Sequence, residues 1–215
     1  MTAKLYKWLT AILLVVAQAG CYPDGPEYAE ELDLVYTNYY NQFDFKSKRT
    51  FAIPDSVILI TGDVFEDPDG DGKPQFANPT YSTQVLNKLK ENMAANGWTL
   101  VNKSNDPDVV LLVSAMTTTN IYYYYDYYYW GWWYGGYYGW YYPGWYYPPY
   151  VTGYRSGSIF IQMTELKGLR QGDNAAVAWN CIINGLAEGS TADISTRIQR
   201  GVDQAFAQSP YLKIN

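Results

Sequence analysis

Histidine is absent from the 215 residues, and only two cysteines occur. Without histidine the chain lacks the commonest general base near neutral pH and the commonest transition-metal ligand. Basic residues are also scarce. The chain has 15 Lys and Arg against 21 Asp and Glu, a formal charge of -6. Nucleic-acid binding depends on cationic side chains that neutralise phosphates, so an acidic surface of this kind argues against it. No G-x-S-x-G elbow, P-loop or zinc-ligand spacing is present. Acidic pairs such as Asp63 and Glu66 would be the remaining candidates for acid and base, as in glycoside hydrolysis. Their spacing is not diagnostic, and solvated carboxylates explain them. The expectation is that the protein is not an enzyme.

The two cysteines sit in different contexts. Cys181 lies in an apolar run from Ala175 to Ile183, where it reads as a small buried hydrophobe. Cys21 closes the leader MTAKLYKWLTAILLVVAQAGC. Lys4 and Lys7 form a positive start, and Leu9 to Ala17 form an apolar stretch too short for a stable membrane span. Ala19 and Gly20 then precede Cys21. This resembles a bacterial lipoprotein signal, whose cysteine becomes lipidated and N-terminal after cleavage, although Gln18 stands where Leu is usual. The alternative is a plain secretory signal with Cys21 paired to Cys181. Several acyl chains on Cys21 would anchor the protein durably, at about 0.8 kcal/mol per buried methylene. Tyr22 follows the cysteine, which by resemblance to lipoprotein sorting favours the outer membrane. Residues 22–33 are polar and acidic and read as a tether.

From Leu34 onward the pattern is that of a folded domain. Leu34 to Tyr40 and Arg49 to Ile53 read as short strands in a hairpin or bent pair, and Val57 to Ile60 as a further apolar segment. A helix capped by Thr80, Ser82 or Thr83 runs to about Asn96, with Val85, Leu86, Leu89 and Met93 on one face and Gly97 as its stop. Trp98 to Val101 gives a short strand, and Asp108 to Met116 is apolar enough for a central strand buried on both faces. Ser158 to Leu166 and Ala175 to Leu186 are strands. After Gly189 to Thr191 comes a helix in which Ile194, Ile198, Val202 and Phe206 recur every four residues.

Two segments stand out from this scaffold. In residues 62–78, Asp67, Asp69 and Asp71 followed by Gly72 match the opening of a calcium loop, where alternate carboxylates converge. Asn78 stands where a bidentate Glu is expected, and no helix leads in, so a solvated acidic turn is the competing reading. The second segment is Tyr122 to Tyr150. Its 29 residues are all Tyr, Trp, Gly or Pro except Asp126, and it holds 15 of the 24 tyrosines and 5 of the 8 tryptophans. It has neither helical nor strand periodicity. The tract lies between two long strands expected to pair as an antiparallel hairpin, and so forms an insert at the hairpin tip. Exposed aromatics in such number are an aggregation liability without a partner. Stacking on glycan rings, lying in a membrane interface or docking on an envelope protein would each use them. Tyr128, Trp130, Trp132, Trp133, Trp140 and Trp145 are the candidate binding residues. The alternative is a low-complexity loop without a ligand.

The order of these pieces resembles the bacterial lipoproteins carrying the domain of unknown function 4136. The resemblance rests on the lipidated cysteine, Thr50-Phe51-Ala52, Gly97-Trp98, Pro107-Asp108-Val109-Val110, Gly157-Ser158-Ile159, the strand tryptophan Trp179 and Ser209-Pro210. It covers about Asp33 to Pro210. The strand tryptophan is usually followed by a basic residue and a glycine, where this chain has Asn180 and Cys181. The family has no established activity, so the resemblance implies fold and location and transfers no catalytic residue.

The expectation is therefore one α+β domain over 34–215, preceded by a signal peptide over 1–20 and a lipidated tether over 21–33. Its antiparallel sheet would have five or six strands, with two main helices packed on one face. The expected role is that of a non-enzymatic envelope lipoprotein, outer-membrane anchored, facing the periplasm or the cell surface. Its partners would be the membrane through the lipid and a glycan or envelope protein through the tract, with no nucleic acid and no cofactor unless calcium. The alternative role is a glycan-processing or other hydrolytic enzyme.

Overall fold

Val109–Met116 (β5) opens with five consecutive apolar residues, and a strand of that kind is stable only with both faces covered. A computed structural model describes residues 35–61, 70–71, 73–116, 133, 139–141, 157–168, 174–184 and 191–215. In it β5 lies at the middle of the sheet. Ser158–Glu165 (β7) pairs with it antiparallel, from Met116↔Ser158 to Val110↔Thr164. The Gly157 amide donates to the Met116 carbonyl at 2.8 Å and closes the hairpin at its tip. The expected hairpin around the aromatic tract is therefore present.

Asn174–Ile183 (β8) follows antiparallel to β7, with a bulge between Met163 and Thr164. Val35–Tyr39 (β1) pairs antiparallel with the second half of β8. The two short strands Thr50–Ala52 (β2) and Ile58–Ile60 (β3) both run parallel to β5, β2 along its first residues and β3 along its last. Thr99–Leu100 (β4) lies outside β2, again parallel. Gly139–Tyr141 (β6), within the aromatic tract, pairs parallel with Asn174 to Ala176 of β8. Eight strands thus form one sheet, ordered β1-β8-β7-β5-β2-β4, with β3 also on β5 and β6 also on β8.

Three expectations need correction. The sheet is mixed, because a helix separates β2 and β3 from β4 and β5, and a helical crossover returns the chain parallel. Nor do β1 and β2 form a hairpin, since β1 pairs with β8 and β2 with β4 and β5, near opposite edges. The sheet also has eight strands where five or six were expected, because short segments share a side of one long strand. β2 and β3 lie end to end along one side of β5, while β6 and β1 lie end to end along the outer side of β8, leaving six ranks.

Pro79–Ala95 (α1) starts one turn earlier than expected. Asn78 caps it, its Oδ1 accepting from the Thr80 amide at 2.9 Å, and Pro79 takes the first position, where a missing N–H costs nothing. Gly97 ends it at φ 95°, as expected of a C-terminal glycine. Thr191–Ala207 (α2) carries the four-residue apolar repeat, with Ile198, Val202 and Phe206 buried. Both helices lie on the same face of the sheet. Val85, Leu86, Leu89 and Met93 of α1 and Ile198, Val202, Ala205 and Phe206 of α2 join one core with Leu111, Val113, Ile161, Met163, Trp179 and Cys181. Gly201 brings α2 close to β8: a β-carbon there would stand 2.7 Å from Ile183 Cγ2.

The opposite face carries Val110, Leu112, Met116, Ile58, Ile60, Val177 and Ile182, which are buried as well. No described helix lies on it.

Candidate functional site

The motifs behind the family resemblance come together in pairs. Thr50, at the start of β2, and Asp108, just before β5, are 58 residues apart in sequence and bonded reciprocally. The Asp108 amide donates to Thr50 Oγ1 at 2.9 Å, and Thr50 Oγ1 donates to Asp108 Oδ2 at 3.0 Å. The same oxygen accepts from the amides of Arg49 at 2.9 Å and Thr50 at 3.0 Å, while Lys167 Nζ reaches Oδ1 at 3.1 Å. Partial burial of Asp108 works to raise its pKa, but these donors outweigh it and hold the carboxyl well below the usual range. This arrangement fixes the parallel start of β2 and β5.

The other motifs form joints of the same kind. Trp98 Nε1 donates to the Leu212 carbonyl at 2.7 Å, and a β-carbon on Gly97 would meet Asn215 at 3.0 Å, so the pair Gly97-Trp98 seats the C-terminal segment. Trp179 Nε1 donates to Ser209 Oγ at 2.9 Å, which also accepts from the Tyr211 hydroxyl at 3.0 Å. Tyr211 stacks on Tyr39 of β1 with ring centroids 3.8 Å apart. Ser158 Oγ donates to Asn184 Oδ1 at 2.7 Å, tying the start of β7 to the end of β8. In each pair the polar group of one motif is met by another part of the chain.

Among the residues singled out from sequence, Cys21, Asp63, Glu66, Asp67, Asp69, Tyr128, Trp130, Trp132 and Trp145 lie outside the described residues. Asp71 is described. Its carboxylate accepts from the Lys73 amide at 2.8 Å and from Lys73 Nζ at 2.7 Å, and the Lys73 side chain lowers its pKa. A calcium ion here would have to draw Asp71 away from Lys73, and no trio of metal-ligating side chains occurs among the described residues. Cys181 is a free thiol in the helix-side core, and burial pushes its pKa far up.

Of the aromatic candidates, Trp133 is half-buried. Lys103, in the turn after β4, donates to its carbonyl and holds its ammonium 5.2 Å from the ring centre. Trp140 stands opposite Ala175 in the β6–β8 pairing. Both points lie towards the end of the sheet where β5 and β8 begin, away from the Met116–Ser158 tip. The tract is therefore more than a tip loop: three of its residues extend the sheet.

Sequence reasoning missed a polar row on the face away from the helices. Gln162 of β7 stands opposite Asn180 of β8, which stands opposite Asn38 of β1, and Thr164 follows two residues after Gln162. Gln162 Nε2, Thr164 Oγ1 and Asn180 Oδ1 are buried and have no hydrogen-bond partner among the described residues. A buried polar atom in that state costs about 1–3 kcal/mol. The alternation in SIFIQMTE marks these positions as one face, but as a face towards water.

These elements define a class first: a mixed α+β domain whose recurring sequence motifs are joints of its own scaffold. Residues 35–211 match the family described as Domain of unknown function (DUF4136), and the chain belongs to that family. A DUF4136 family protein from Bacteroides thetaiotaomicron VPI-5482 has a crystal structure with 31% identity and a TM-score of 0.64, covering 85% of this chain and 98% of that one. A PDZ domain protein from Parabacteroides distasonis ATCC 8503 is 16% identical at a TM-score of 0.44, over 83% of this chain and 36% of that one. PelC from Paraburkholderia phytofirmans, crystallised as a dodecamer, is 10% identical at 0.34, over 80% and 96%. No curated protein sequence matches the chain.

Proposed function

We propose that the chain is a cell-envelope lipoprotein with a non-enzymatic binding or structural role, anchored in the outer membrane through Cys21. The observation that carries the non-enzymatic part is the mutual satisfaction of the family motifs. Thr50 with Asp108, Trp98 with Leu212 and Trp179 with Ser209 tie separate parts of the chain together, which supports a scaffolding role for these motifs. The anchor rests on the leader, in which a positive start, a short apolar stretch and small residues end at a cysteine. No described helix is long and apolar enough to cross a membrane. The aromatic tract supplies the partner surface, with Tyr and Trp as anchors for a glycan or an envelope protein.

Metabolic labelling with a fatty-acid analogue tests the anchor. Label is expected on the wild type and absent from Cys21→Ala; a variant that still labels refutes lipidation at this residue. Replacing residues 122–150 by a short turn tests the tract. Envelope or glycan association should fall in that variant, and unchanged association removes the binding role from the tract.

A further inference from the structure

The sheet ends in two edges of unequal kind. At one, β4 is two residues long, and the amides of Thr99 and Val101 turn inward to the carbonyls of Arg49 at 2.8 Å and Phe51 at 2.9 Å. An edge that short offers little to pair with. At the other, β1 runs for five residues, Val-Tyr-Thr-Asn-Tyr, in unbroken register from Val35↔Ile183 to Tyr39↔Trp179. It has no lysine, no proline and no bulge, the devices that ordinarily blunt an edge. Of the four large apolar side chains exposed among the described residues, two belong to it, Tyr36 and Tyr39.

The hydrogen bonds fix which backbone groups face outward. The Tyr40 amide donates to the Ala178 carbonyl at 2.9 Å. By the two-residue alternation of an antiparallel ladder, Tyr40, Asn38 and Tyr36 therefore turn their N–H and C=O groups to β8. Val35, Thr37 and Tyr39 turn theirs away from the sheet. The Tyr39 amide donates to Asn38 Oδ1 at 2.9 Å, as an outward amide can. The backbone N–H and C=O groups of Val35 and Thr37 have no partner among the described residues.

We propose that β1 pairs antiparallel with β1 of a second copy of this chain, across a two-fold axis at Thr37, so that two sheets join edge to edge. In that register Thr37 stands opposite the partner's Thr37 and exchanges both backbone bonds with it. Val35 stands opposite the partner's Tyr39, and the Tyr39 amide exchanges Asn38 Oδ1 for the carbonyl of the partner's Val35. Thr–Thr and aromatic–β-branched pairs are both favourable across strands, and no charge enters the joint. Charge on the flanks sets the direction. In sequence β1 is preceded by Glu30, Glu31 and Asp33 and followed by Lys46 and Arg49, whose side chains have no carboxylate partner among the described residues. Antiparallel pairing brings the acidic flank of one copy towards the basic flank of the other, whereas parallel pairing would set like charges side by side.

The test is sedimentation velocity of the full chain in detergent, up to sub-millimolar concentration, with four variants at Thr37. The wild type should dimerise reversibly. Thr37→Pro removes the outward N–H without touching the ladder to β8, and should weaken the dimer by about tenfold or more while keeping the wild-type circular dichroism. Thr37→Lys and Thr37→Glu should each weaken it as much, because like charges meet across the axis. Thr37→Val gives up only the hydroxyl's bond to Tyr211 and should dimerise as the wild type does. An equal mixture of Thr37→Lys and Thr37→Glu should restore dimers, since residue 37 then faces its opposite charge. A monomeric wild type, a Thr37→Pro that dimerises like the wild type, or a monomeric Thr37→Val overturns the edge joint. A Lys–Glu mixture that stays monomeric overturns the two-fold register. Should Thr37→Pro fail to fold, the Lys and Glu variants, alone and mixed, decide the proposal by the same outcomes.

Discussion

Asp108 gathers donors from Arg49, Thr50 and Lys167 around one carboxylate, and this makes it a residue through which acid acts on the fold. Its pKa in the folded chain lies below that of an unfolded aspartate, which is about 3.9. The sign follows from that order. The stabilisation it gives is complete above about pH 4 and is lost as the pH falls below that value towards the depressed folded-state pKa. Asp108→Ala should lose about 2 kcal/mol at pH 7, since several backbone and hydroxyl donors lose a charged acceptor. The deficit should shrink between about pH 4 and pH 2, because protonation removes the same advantage from the wild type. Urea unfolding at pH 7 and pH 3 measures both. Cys181 gives a second outcome at this scale. A buried thiol with a raised pKa holds almost no thiolate, so iodoacetamide should leave it unmodified in the folded chain and label it promptly in urea. Labelling of the native state followed by mass spectrometry decides the point.

Helix α2 illustrates how an element obeys its neighbours rather than its own propensity. Alanine in place of a mid-helix glycine usually gains about 1 kcal/mol. At Gly201 the added carbon would meet a branched, fully buried Ile183, and overpacking of that kind costs about 1–3 kcal/mol. Gly201→Ala is therefore expected to lower stability by about 1 kcal/mol, against its helix propensity, as measured by denaturant unfolding. This contrast also marks what the sequence made legible. The four-residue repeat of Ile198, Val202 and Phe206 and the apolar run of β5 are local patterns, and both elements were readable from them. The hairpin of β5 and β7 was readable because sequence neighbours of matching length flank one insert. The pairing of β1 with β8 was not, since their partners are more than a hundred residues apart and nothing local favours that match over β2. The joints escaped for the same reason: Trp98 and Leu212, or Thr50 and Asp108, declare themselves only when the fold brings them within hydrogen-bond reach. The polar row was legible as a face, but its burial depends on what covers it, which strand alternation does not encode.

The whole molecule is organised by where the aromatic tract leaves the sheet and where it returns. Departure is at Met116 and rejoining at Ser158, directly opposite each other, so that the hairpin of β5 and β7 closes through the Gly157 amide without help from the tract. Between those points Trp133 sits on Lys103, and Gly139–Tyr141 lies against Asn174 to Ala176, both near the far end of the sheet. At that end β8 has β7 on one side only from Ala176 onward, so among the described strands Asn174 and Ala175 take their ladder from β6 alone. Two parts of the tract thus have different structural weight. If residues 122–150 are replaced by a short turn, β5 and β7 keep every partner they have, whereas Asn174 and Ala175 of β8 lose their described ladder and Ala176 loses one side of it. Amide hydrogen exchange should then show protection in 109–116 and 158–163 close to that of the intact chain, and faster exchange at 174–176. Local opening of this kind leaves the cooperative core intact, because the helix-side residues Trp179, Cys181 and Met163 lie inward of the affected segment. Uniform loss of protection across all of the strands would instead make the tract a necessary part of the folding unit, and the scaffold could no longer be described as independent of it.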